Sequence, residues 1–213
     1  REEWVDVTEK RVDLTKFAWL SIAAALATIA LKTTAWLLTG SVGLLSDAAE
    51  SVVNLVAAVV ALIALRVAAK PADKNHHFGH SKAEYFSSAI EGVMIFVAAA
   101  VILVVGIQRL LNPQPLEQVG IGLAISVVAG IINGAVAIVL IRAGRQHNSI
   151  TLRADGQHLM PAVVTSVGVV VGVGLVALTG WQILDPIVAI GVGINILWTG
   201  WKLVSESTAG LMD

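Results

Sequence analysis

The sequence has no cysteine. That excludes disulfides, thiolate zinc sites and thiol chemistry. It also has little charge: of its 213 residues 14% are charged and 56% hydrophobic, where soluble domains carry about a quarter charged residues. Mean hydropathy is +0.82. This balance belongs to membrane proteins, with lipid as an expected partner. There is no basic block, and a net charge of −1 offers nucleic acid no footprint, so no such partner is expected. The polar start, 1–16, lacks a signal-peptide layout and opens on Arg1 rather than Met, so a trimmed start is expected. No nucleophile is paired with a base, Ser46 beside Asp47 being only a helix neighbour, and no enzyme is expected.

What the sequence does have is six apolar runs, at 17–39, 41–69, 83–111, 116–142, 149–180 and 184–205. Each can cross a ~30 Å hydrocarbon core, which needs about 20 helical residues. Breaks fall at Thr39-Gly40-Ser41, at Lys70–Lys82, at Asn112-Pro113-Gln114-Pro115, at Arg142–Asn148 and at Gly180–Pro186. The expected fold is an all-α integral membrane protein of six transmembrane helices, a single domain over 1–213. Lys10, Arg11, Lys16, Arg66, Lys70, Lys74, Lys82, Arg142, Arg145, Arg153 and Lys202 lie toward one side, and Arg109 toward the other. The positive-inside rule then predicts that both termini are cytoplasmic.

Ionisable groups at membrane depth are costly and usually functional. Span two carries Asp47, Glu50 and Asn54, and span five carries Asp155, His158 and Ala162 at the same spacing. The shared frame, D-x-x-[E/H]-x-x-x-[N/A], puts each trio on one helical face. The two spans run in opposite directions, as in an inverted repeat with its site at the repeat interface. Glu50 lies roughly 14 Å from the outer end of its span and His158 roughly 14 Å from the inner end of its own, so both reach the midplane. A carboxylate, an amide oxygen and an imidazole suit a divalent transition metal. Interhelical hydrogen bonding is the plainer reading, and it weakens when two clusters match.

Lys32 should lie at the depth of Asp47 and pair with it, which keeps Asp47 structural; Asp47 as a metal ligand is the competing reading. Glu91 in span three is either an outer proton acceptor or a helix–helix hydrogen bonder. The loop "PADKNHHFGHSKAEY" holds Asp73, His76, His77 and His80, a candidate secondary site for collecting metal. Phe78 and Gly79 precede His80, so no H-E-x-x-H protease motif is present.

With these residues the chain resembles the cation diffusion facilitator family. The similarity rests on "GSVGLLSDAAESVVN", "PADKNHHFGHSKAEYFSSAIEG", "RADGQHLMPAVVTSVGVVVGVGL" and "LDPIVAI", and covers essentially the whole chain. The resemblance implies two inverted three-helix halves, a homodimer, and export of divalent metal from the cytoplasm in exchange for H+. Zn2+ is the first expectation, with iron, manganese, cobalt and cadmium as alternatives. Its transport site falls on Glu50, Asn54, His158 and Ala162, where the last position is typically aspartate. Two readings stay open for Ala162. It is a natural variant with water or another residue as fourth ligand, or a substitution that disables the site.

Family members commonly continue into a cytoplasmic ferredoxin-like domain. This sequence stops at Asp213, so that domain is expected to be absent. Alternating access is the expected mechanism, with protons competing at His158, an imidazole that ordinarily titrates near pH ~6.5. A prokaryotic inner membrane is the expected location. The alternatives are a metal-binding scaffold that no longer transports, and a proton-coupled carrier of another small substrate.

Overall fold

The computed structural model describes residues 14–68 and 81–212. They form six helices: α1 Leu14–Thr39, α2 Val42–Ala68, α3 Ser81–Leu111, α4 Val119–Gln146, α5 Ile150–Thr179 and α6 Leu184–Met212. No strand occurs among the described residues. All six are long and apolar enough to cross a membrane by length and composition. The helix starting at Val119 begins later than the expected 116 because Gln118 has φ 46, a left-handed conformation that helix cannot include. It also runs on to Gln146. Arg142 and Arg145 sit on its last turns, where long basic side chains can reach water.

Polarity is distributed inside-out, as hydrocarbon solvent requires. Val93, Val97, Val101, Val104 and Ile107 form one exposed stripe on α3. Lys32, Asp47, Glu50, Asn54, Ser126 and Asn133 are buried. Exposed Trp181 stands at one end of α6 and exposed Trp201 toward the other, roughly 30 Å apart at ~1.5 Å rise per residue. That spacing suits the two interfacial aromatic belts.

Each helix of the first half packs on its counterpart in the second: α1 on α4, α2 on α5, α3 on α6. Helices α1, α2, α5 and α4 close a four-helix ring, and the α3–α6 pair leans on α2. Glycines set the closest approaches. A Cβ on Gly92 would lie 3.3 Å from the Gly200 carbonyl oxygen, and one on Gly200 would lie 3.3 Å from that of Gly92. Gly156 of α5 abuts Ala137 and Ile141 of α4 in the same way. Without a hydrophobic drive between helices in lipid, such close backbone packing holds them together.

The hairpin ends repeat one turn chemistry. Gly40 and Gly180, at φ 70 and φ 71, end α1 and α5 in the left-handed region that glycine enters freely. Their N–H groups donate to Trp36 and Val176 carbonyls, each at 2.8 Å. Arg109 Nη1 donates to the Gly40 carbonyl at 2.8 Å, so a basic residue caps the C-terminus of α1.

The start of α2 is capped from α6. The Val42 N–H donates to Asp185 Oδ2 and the Gly43 N–H to Asp185 Oδ1, each at 3.0 Å. Ser41 Oγ also donates to Asp185 Oδ1, and the Leu44 N–H donates to Ser41 Oγ at 3.1 Å. Asp185 is 1% exposed. Its carboxylate satisfies amides that a helix cannot satisfy itself. Replacing Asp185 with alanine is expected to destabilise the bundle by about 2–3 kcal/mol, the scale of charged hydrogen bonds lost in a buried setting. Thermal melting in detergent reads this. An unchanged melting temperature would contradict the capping role.

Candidate metal site between the helix pairs

The α2 face that carries Glu50 and Asn54 meets the α5 face that carries His158. The three side chains line one cavity of about 80 Å³, with Val53, Ile95, Pro161, Asn195, Ile196 and Thr199 completing its wall. Helices α2, α3, α5 and α6 therefore all reach it. That volume holds a cation with several waters.

Glu50 is 8% exposed and Asn54 5%. Glu50 Oε2 and Asn54 Nδ2 have no hydrogen-bond partner among the described residues. A cation can satisfy the Glu50 oxygen, an acceptor, whereas the Asn54 nitrogen is a donor; Asp47 Oδ2 and Asp155 Oδ2, off the cavity, are also without a partner among the described residues. The Thr165 hydroxyl stands beside the Glu50 carboxylate and donates to the Pro161 carbonyl at 3.0 Å. Pro161, inside α5 and on the cavity wall, has no N–H to offer the Gln157 carbonyl. Helix-internal prolines of this kind are tolerated in membranes where they line a cavity.

Asp47 does not line the cavity. Its Oδ1 lies 3.0 Å from Lys32 Nζ, with both residues 1% exposed. Ser166 Oγ donates to the same oxygen at 2.7 Å and accepts from Lys32 Nζ at 3.1 Å. The triad ties α1, α2 and α5 together. This is the pairing expected of a structural Asp47, three residues along the helix from Glu50; its Oδ2 has no hydrogen-bond partner among the described residues. Ala162, at the expected fourth position, is 2% exposed and is not part of the cavity wall.

Asp155 and Glu91 form a second polar layer. Both are buried and lie within electrostatic reach of each other, with the Ser21 hydroxyl beside Asp155. Asp155 precedes His158 by three residues and Glu91 precedes Ile95 by four, so this layer sits about one helical turn from the cavity, toward Ser149. Asp73, His76, His77 and His80 lie outside the described residues.

Asn195 and Thr199 were not anticipated from sequence. The signal was available: they are two polar residues four apart in the apolar run "AIGVGINILWTGW".

Comparison with known proteins follows the same outline. A family model described as the cation efflux transmembrane domain matches residues 18–212. An uncharacterised transporter of Synechocystis sp. is 59% identical over 197 residues, 92% of this chain and 64% of that protein. The cation-efflux pump FieF of Klebsiella pneumoniae is 31% identical over 200 residues, 94% of this chain and 66% of the pump. FieF of Citrobacter koseri is 31% identical over 183 residues, 86% of this chain and 61% of the pump. The chain spans just under two thirds of the length of these curated relatives.

Proposed function

We propose a function from one premise, that the chain belongs to the cation efflux family: it exports divalent transition-metal cations through an integral membrane domain, with the cavity of Glu50, Asn54 and His158 as the transport site. Zinc, iron, manganese, cobalt and cadmium are the candidate substrates. The observation that carries the reading is the convergence of these three side chains on one cavity, with the acceptor Glu50 Oε2 left without a partner among the described residues. Two polar faces at matched depth on antiparallel helices suit a site exposed to each side in turn.

In this proposal the Ser149 end, flanked by Arg66, Arg142, Arg145 and Arg153, faces the cytoplasm. The cation enters there, past Glu91 and Asp155, after capture by Asp73, His76, His77 and His80. Protons compete for Glu50 and His158 and drive release on the far side. The active form is a homodimer in a prokaryotic inner membrane. A second reading draws on Ala162: a carrier short of one carboxylate that binds metal and moves none.

The test is uptake of Zn2+, Fe2+, Mn2+, Co2+ and Cd2+ into proteoliposomes under a proton gradient, with Ala162→Asp in parallel. Accumulation of at least one cation above protein-free liposomes by the unaltered chain is expected. Transport by Ala162→Asp alone would favour the second reading. Transport by neither would contradict export.

A further inference from the structure

Between Asp185 and Lys202, the polar side chains of α6, tryptophans aside, are Asn195 and Thr199. Four residues apart, they share one helical face. Both line the cavity with Glu50, Asn54 and His158. An amide placed in a membrane span is costly unless it has a partner or a task. The Thr199 hydroxyl donates to the Asn195 backbone carbonyl at 3.1 Å, which leaves the Thr199 oxygen's lone pairs free to ligate.

Among the described residues no three His, Cys, Asp or Glu side chains gather to hold a metal. The cavity has one carboxylate, Glu50, and one imidazole, His158. Its other polar side chains are Asn54, Asn195 and Thr199, all neutral oxygen donors. At 162, where a second carboxylate is expected, a buried methyl group stands outside the wall.

We infer that Asn195 and Thr199 supply the oxygen ligands that position 162 lacks, and that the resulting set of one nitrogen and four oxygens selects manganese-like or ferrous cations over zinc. The inference rests on the transport reading of this cavity and deepens it. Zinc favours four-coordinate sites rich in nitrogen or sulfur. Carbonyl, carboxylate and water oxygens suit manganese, which takes more ligands. Neutral oxygens hold a cation less tightly than carboxylates do, which suits a cargo that must leave.

The experiment titrates the full chain in detergent with Mn2+ and Zn2+, and records the visible spectrum of bound Co2+. Joint Asn195→Ala and Thr199→Val substitution is expected to weaken Mn2+ binding about tenfold or more, and Zn2+ binding less than about threefold, a ligand being worth at least what an outer partner is. The Co2+ spectrum should move from weak six-coordinate bands to intense four-coordinate bands. Asn195→Asp should tighten Mn2+ binding, an outcome that a merely structural role for Asn195 would not give. If the double variant binds Mn2+ and Zn2+ as the parent does while His158→Ala abolishes binding, this inference falls and the cavity reading stands. If His158→Ala and Glu50→Gln also bind unchanged, the cavity reading falls and takes the inference with it.

Discussion

Replacing His158 with alanine is expected to lower cation transport by roughly a hundredfold or more, since even partners one shell out from a metal cost about 10–100-fold when lost. Among the described residues His158 is the one imidazole on the cavity wall. Glu50→Gln should act similarly through a different property. It keeps the side-chain shape and removes the cavity's carboxylate charge. Initial rates in proteoliposomes read both effects, with melting temperature as the control for folding. Rates within about twofold of the parent, far inside the range a ligand loss should exceed, would contradict a role for either residue.

The second large effect concerns stability. Lys32→Ala would leave the Asp47 carboxylate buried without its cation, while Ser166 alone remains as a partner. Breaking one side of a buried ion pair typically costs about 3–5 kcal/mol. The variant should melt well below the parent. The joint change of Lys32→Met and Asp47→Leu should recover most of the loss, because apolar pairs of similar volume often replace buried ion pairs at little cost. The same double variant tests whether Asp47 touches the cation: its transport rate per folded molecule should be close to the parent's. If Lys32→Ala melts like the parent, the triad does not hold α1, α2 and α5 together.

How far the molecule could be read from its sequence depended on what lipid makes visible. Glu50, Asn54 and His158 stood out because ionisable and amide groups are rare in apolar runs. The pairing of Lys32 with Asp47 followed from their depths. The interior face of each helix was harder to read. A helix in lipid is apolar on the face toward solvent and on the face toward protein, so periodicity does not separate them. The α3–α6 contact at Gly92 and Gly200 is written in two glycines that look like many others. Asn195 and Thr199 resemble ordinary interhelical hydrogen bonders until the cavity is seen. Asp185 was legible only as part of "LDPIVAI"; its task, capping α2 across 144 residues of sequence, has no local signature. Helix ends were not legible where a residue's backbone conformation decided them, as at Gln118 with φ 46.

The most direct test of the central claim is the position of the bound cation, measured by anomalous X-ray diffraction from the full chain crystallised with Mn2+ or Zn2+. The account predicts a peak within ligand distance, about 2.0–2.3 Å, of the Glu50 carboxylate and the His158 imidazole, beside Asn54. A cation held only by the loop histidines His76, His77 and His80, with the Glu50–His158 cavity empty, would contradict it.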